Sequence, residues 1–212
     1  MKFVILGAME EEVAEFKDYK DVYVACTGVG KTNAAIVAQK MIYQHDPDYI
    51  FFVGVAGALT NSLNVGDIVV GESAIDIDMD VRLWDSRYKI GEIPFSGDRI
   101  FHSDLFIVDL LKNLQKGYIA TGSKFLDSNA KRELVDRIDD FKFDNKVPNV
   151  YDMESVAVLQ TAQYNNVKCL VLRTISDNLN GGASDFNNFM KEAVLGYKPI
   201  VDNLIYKLEC LG

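Results

Sequence analysis

The chain has 212 residues, of which 49% are apolar and 25% charged, enough for one domain with a substantial core. Its net charge of −9 has no basic cluster to offset it, which argues against binding a nucleic-acid backbone or an anionic membrane. The first apolar stretch is too short for a signal peptide, and no run approaches the ~18 apolar residues of a membrane helix. The cysteines, Cys26, Cys169 and Cys210, are odd in number and far apart, as expected of reduced thiols in a cytoplasmic protein.

In chain order, short apolar runs alternate with amphipathic stretches, the pattern of an α/β fold. The runs predict strands at Lys2–Leu6, Val22–Cys26, Tyr49–Val53, Ile68–Ile77, Gly117–Thr121, Asn149–Tyr151 and Lys168–Ile175. Helices are expected at Glu10–Lys17, Lys31–Gln44, Ser103–Gln115, Ala130–Asp136, Glu154–Asn165 and Phe186–Leu208. The last carries an apolar stripe at helical spacing, with Pro199 inside it predicting a kink or break. Residues 82–101 read as a long loop, of the kind that is usually functional or interfacial. No repeat or linker divides the chain, so residues 1–212 are expected to form a single domain.

Two patterns invite chemistry and are better explained structurally. The segment Ala25–Thr32 meets a relaxed phosphate-loop pattern, but only Thr27 to Gly30 are free to form the loop, too few to circle a phosphate. A tight strand-to-helix turn with two glycines accounts for it. The alternating aspartates Asp76, Asp78 and Asp80 fall on one strand face, whereas Ca²⁺ requires ligands converging from several directions.

Carboxylates are the better candidates. With only His45 and His102, far apart, a histidine-based triad or zinc site is a weak reading, and acid–base work falls to acidic residues. Glu12 lies just after a buried strand and a Gly7-Ala8 turn, where ligands gather in open α/β sheets. Glu154 opens a helix after another strand, and Asp177 closes an apolar strand that also carries Arg173. Each has a structural explanation alone, as a first-turn acid or a turn former. Together they supply what hydrolysis at a glycosidic carbon requires: one carboxylate to activate water, an acid for the leaving group, and a grip on sugar hydroxyls.

With these residues laid out, the chain resembles the methylthioadenosine/S-adenosylhomocysteine nucleosidases within the nucleoside phosphorylase family. The resemblance rests on the motifs Gly7–Val13, Gly28–Lys31, Gly54–Gly57, Val65–Val69, Ser123–Leu126, Asp152–Glu154 and Arg173–Asp177, and it spans nearly the whole length. It implies a three-layer α/β/α fold with a mixed, strongly twisted central sheet. It also implies cleavage of an adenine nucleoside's N-glycosidic bond without cofactor or metal, by a homodimer in which the Val81–Pro94 region nears the partner's pocket.

Residue by residue, the resemblance makes Glu12 the base that activates water, with Arg173 orienting it. Asp177 donates a proton toward purine N7, steadied by Ser176. Glu154 holds the ribose hydroxyls, and Met9 and Met153 pack on the sugar. Phe125 stacks on adenine, the backbone at Leu126 reads its edge, and Phe186 lines the 5′-alkylthio pocket. Val55 and Ala56 come from the central signature, Val55 standing where the family usually has Ser or Thr. In the phosphorylase branch that hydroxyl helps hold phosphate, so its loss favours water as nucleophile. Asp152 replaces a commoner Glu in the ribose motif, and Ser123-Lys124 a frequent Gly-Asp. The alternatives are the same chemistry on aminodeoxyfutalosine, a purine nucleoside phosphorylase, a phosphate-loop nucleotide-binding module, or a binding role without catalysis.

Overall fold

The computed structural model describes residues 1–180 and 183–211, with side chains omitted for 183–188 and 190–194. The described residues form eight strands, β1 (Phe3–Gly7), β2 (Val22–Cys26), β3 (Tyr49–Ala58), β4 (Ile68–Asp76), β5 (Ile100–His102), β6 (Gln115–Thr121), β7 (Val150–Asp152) and β8 (Lys168–Asp177). Six α-helices accompany them: α1 (Glu10–Val13), α2 (Lys31–His45), α3 (Leu105–Leu110), α4 (Ser128–Asp136), α5 (Ser155–Tyr164) and α6 (Ala183–Leu211).

The strands form one mixed sheet in the order β2-β1-β3-β7-β6-β4-β5, with β8 pairing both β3 and β4. Following the pairs β3-β8-β4-β6-β7 leads back to β3, so the middle of the sheet closes on itself. Strong twist makes such closure possible. The period-2 alternation of β1 and β3 sorts their side chains onto two faces. Val4, Leu6, Ile50 and Phe52 pack with Ala34, Ala38, Val158 and Leu159 of α2 and α5. Phe3, Ile5, Phe51 and Val53 pack with Val13 of α1, Ile107 of α3 and Tyr197, Val201 and Leu204 of α6. Helices therefore cover both faces, the layered α/β arrangement expected.

The differences from expectation have local causes. Strand β3 continues past Gly54 and Gly57 to Ala58, because β8 and β7 supply pairing where glycine would ordinarily weaken a strand. Strand β5 has three residues, too few to show alternation, and pairs antiparallel with β4 at the end of the long loop. Helix α1 stops at Val13, and the following Asp18 accepts a hydrogen bond from Val24 N at 2.7 Å on the exposed edge of β2. Helix α3 is limited to six residues beginning after Asp104, whose side chain accepts from Ile107 N. Helix α6 runs through Pro199 without ending. Among the described residues no helix is long and apolar enough to cross a membrane.

The glycine turn behaves as expected, whereas the aspartates do not share one strand face, because β4 ends at Asp76 and Asp78 and Asp80 lie beyond it. Gly28 and Gly30 take left-handed φ values of 78° and 98° in the β2–α2 turn, which glycine adopts without strain. Lys31 Nζ lies 2.6 Å from Asp76 and 2.9 Å from Asp78, so its charge is matched by carboxylates. Asp80 holds Arg82 at 2.7 Å.

Candidate active site

The carboxyl ends of β1, β3, β7 and β8 meet around a cavity of about 300 Å³. That volume is at the lower end for a small-molecule pocket. Of the residues expected at the site, Glu12, Asp177, Met9, Val55, Ala56, Phe125, Leu126, Asp152, Met153, Glu154 and Ser176 line it. Arg173 lies behind them, 1% exposed, and Phe186 lies outside the described side chains. His45 stacks on Tyr23 well away from this cavity.

Glu12 is 2% exposed although it is the third residue of α1. One carboxylate oxygen accepts from the backbone N–H of Ala8 at 2.6 Å and of Met9 at 3.0 Å, and the other accepts from Val55 N–H at 2.9 Å. It thus caps its own helix start while facing the cavity, and Glu10 and Glu11 stay exposed. The Tyr197 hydroxyl donates to the Glu12 carbonyl at 2.7 Å, anchoring α1 to α6. Burial raises the pKa of Glu12 above its ordinary value, opposed by the Arg173 charge and the three N–H donors. Gly54 makes the approach possible: a Cβ there would overlap the Glu12 carboxylate and come within 2.8 Å of Arg173 Nη1.

Arg173 is fixed by a buried polar cluster. Its Nε and Nη2 donate to Asp152 Oδ2 at 3.0 and 2.9 Å, and Nη2 also donates to Ser155 Oγ at 3.1 Å. Asp152 accepts further from Thr121 Oγ1 at 2.8 Å and from the Ser155 backbone and hydroxyl. The guanidinium lies 4.0 Å from the Phe52 ring centroid, a cation–π contact. Asp152, which also lines the cavity, thus accepts from several protein donors, Arg173 among them. Thr121 and Ser155 escaped the sequence reading, because a buried hydroxyl pair carries no local signature.

Glu154 precedes α5 and accepts from Gly30 N–H at 2.8 Å, which ties the β2–α2 turn to the cavity. Burial, followed by the neighbouring Asp152 charge, pushes its pKa up to about 7. On the apolar side Val55 packs with Met9 and with Phe189 of α6. Phe125 is 50% exposed at the mouth, and Leu126 and Met153 pack against Tyr151. The Tyr151 hydroxyl donates to Lys124 O at 2.5 Å, and Ser123 Oγ to Asp78 at 2.6 Å, which fastens the segment bearing Phe125.

Asp177 reaches the cavity through an irregularity in pairing. Strand β8 pairs Ile175 with Ala56 and Asp177 with Gly57, so Ser176 is an extra residue, a bulge that re-aims the Asp177 side chain. Ser176 Oγ donates to Asp177 Oδ1 at 2.7 Å. The other oxygen, Oδ2, forms an ion pair with Lys131 Nζ from α4. Lys131 is 2% exposed and was not among the expected site residues. In sequence it stands beside Arg132 near the start of a polar helix and reads as a solvated cation.

Residues 2–205 match the sequence model of the Phosphorylase superfamily. A 5′-methylthioadenosine/S-adenosylhomocysteine nucleosidase of Staphylococcus saprophyticus is 33% identical, over 95% of this chain and 97% of that protein. Two Helicobacter pylori structures superpose with a TM-score of 0.85 at 25% identity. One is a 5′-methylthioadenosine/S-adenosylhomocysteine nucleosidase, bound to a pyrrolidinol bearing an aminopyrrolopyrimidine and a propynylthio arm, covering 97% of this chain and 98% of that one. The other is a futalosine hydrolase, covering 97% of each. The chain belongs to the Phosphorylase superfamily and, within it, to the 5′-methylthioadenosine/S-adenosylhomocysteine nucleosidases.

Proposed function

We propose that the protein hydrolyses the N-glycosidic bond of 5′-methylthioadenosine and S-adenosylhomocysteine, releasing adenine and the 5′-thioribose product. The observation that carries this reading is the convergence of Glu12, Glu154 and Asp177 on one largely apolar cavity. Loss of adenine from ribose passes through an oxocarbenium-like sugar, whose positive charge nearby carboxylates stabilise. Glu12, raised above an ordinary glutamate, takes a proton from the attacking water. Arg173 holds the electrostatics behind it. Glu154 accepts from the ribose hydroxyls, and Asp177 passes a proton to N7 so that adenine leaves neutral. Phe125 stacks on the base, Leu126 offers its backbone to the base edge, and Met9 and Met153 pack on the sugar. The 5′-thio arm lies toward Val55, Phe189 and, by resemblance, Phe186.

Assay with and without inorganic phosphate tests the reading: adenine and free thioribose in its absence are expected, and strict phosphate dependence overturns hydrolysis. Val55, which brings no hydroxyl to the cavity, supports water as nucleophile. A second reading, the same cleavage of aminodeoxyfutalosine, is favoured by the equal likeness to the futalosine hydrolase fold. Competition between the two nucleosides ranks them: a higher kcat/KM for aminodeoxyfutalosine makes it the principal substrate. The fully exposed Leu83, with Trp84 and Phe95 nearby, supports a homodimer through the 81–94 region. A monomeric mass by light scattering at micromolar concentration overturns that.

A further inference from the structure

Lys131 is the one cation among the described residues lining the cavity. Burying an ammonium is costly, and a buried ion pair is often less stabilising than an apolar pair of the same volume. Its presence therefore calls for a chemical reason. Nζ donates to the Asn178 carbonyl at 2.9 Å and pairs with Asp177 Oδ2. The packing makes room for this: a Cβ on Gly57 would lie 3.2 Å from both Asp177 Oδ2 and Lys131 Cε. Beside it Arg132 Nη2 donates to Asn180 at 2.8 Å, fastening the segment after β8 to α4.

We propose that Lys131 stores the proton that Asp177 delivers to the leaving base. The inference rests on the nucleosidase reading. Asp177 must both give a proton to purine N7 and regain one while itself only 4% exposed. A carboxylate alone does this only while it remains neutral; paired with an ammonium, the two groups hold one transferable proton at much higher pH. As the C1′–N9 bond breaks, its electron pair passes into the base, and the one proton of the pair moves from Lys131 Nζ to Asp177 Oδ2 and from Asp177 to N7. The relay leaves Asp177 a carboxylate, as it began, and Lys131 a neutral amine. Water adds its oxygen to C1′ and gives its proton to Glu12. Solvent then returns a proton to the amine and accepts the one on Glu12, so the sum is nucleoside plus water giving base plus sugar.

Lys131 acts through Asp177 and is in that sense a positioning residue. The other ionisable groups facing the cavity are Glu12, Asp152, Glu154 and Tyr151. Each is engaged elsewhere, with backbone N–H groups, Arg173, Gly30 and the Lys124 carbonyl respectively. On α4 itself Asp127 caps the helix, and Glu133 and Asp136 line a different hollow.

The test is the pH profile of kcat/KM for adenine release by wild type and K131M. The expected result is a loss that grows with pH, about tenfold or greater at pH 8.5, and an alkaline limb displaced downward by at least one pH unit. A uniform loss with an unchanged profile, or no loss, overturns the proposal. If K131M does not fold, calorimetry of adenine binding to wild type in two buffers of different ionisation enthalpy decides. Binding at pH 8 without net proton uptake is expected, because Lys131 supplies the proton; uptake of about one proton overturns it. Absence of adenine release by wild type, with binding intact, overturns the nucleosidase reading and is seen before any variant is compared.

Discussion

At the Glu12 end of the cavity a carboxylate is held by three backbone N–H groups and backed by an arginine that is itself locked. At the Asp177 end the carboxylate is held by a serine hydroxyl and the tip of a lysine side chain. The first arrangement is rigid and its supporting groups cannot change their proton content, because arginine stays charged and backbone donors keep their protons. Those of the second can, because lysine gives up its proton when its surroundings favour the amine. The difference matches the tasks proposed for the two ends. Water activation requires an oriented base, whereas base departure requires a proton that is delivered and replaced.

The largest expected effect breaks the rigid end chemically. Glu12→Gln keeps the shape and leaves a folded protein, since a neutral side chain avoids the cost of charge burial that raises the Glu12 pKa. Adenine release should fall by about 10²–10⁴-fold, the usual contribution of a positioned acid–base group. Asp177→Asn should lose a similar factor, with some added instability because Lys131 loses its counter-charge. Turnover near wild type in either variant removes that residue from its assigned role.

Breaking the same end structurally should cost stability first. Arg173→Met leaves Asp152 charged and buried, which costs about 3–5 kcal/mol. Thermal unfolding should show a midpoint roughly 10 °C lower. The double variant with Asp152→Asn should recover most of the loss. If the double variant is no better than the single, the ion pair is not what Arg173 contributes.

Glu154 lies between the two ends and sharpens the comparison through pH. Its pKa is raised on folding from 4.5 to about 7, so its protonated form is favoured by the fold. The resulting stability is fully present below about pH 4.5 and is lost as pH rises to about 7, on the order of 3 kcal/mol in all. Glu154→Gln should therefore melt above wild type at pH 8, with the gap closing by pH 4.5. A gap that is constant across this range contradicts the assignment.

How much of this was legible in the sequence depends on the kind of interaction. Glu12, Glu154 and Asp177 could be placed because each sits where an apolar strand gives way to polar residues, and strand ends of an α/β sheet converge. Arg173 beside Asp177 and Asp152 in the ribose motif were both visible, yet their pairing was not, because it joins β7 to β8 across the sheet. Lys131 was invisible for the same reason: burial depends on how α4 docks against the segment after β8. The bulge at Ser176 escaped notice as well, since a single extra residue leaves the apolar pattern of β8 intact. Strand β5 and the shortened α1 and α3 show the complementary limit, where neighbouring contacts override local pattern.

The smallest expected effect concerns Phe125, which belongs to neither charged end and is half exposed at the mouth. An aromatic ring against a base contributes about 1–3 kcal/mol through stacking, and the base keeps its π face as the glycosidic bond breaks. The contribution is then similar in ground and transition states, so its loss raises KM rather than lowering kcat. Phe125→Ala should raise KM roughly tenfold with kcat within about twofold, read from steady-state adenine release. A dominant fall in kcat would mean that the ring acts on the charge developing in the base. Phe125 would then belong with Asp177 and Lys131 at the proton-delivering end.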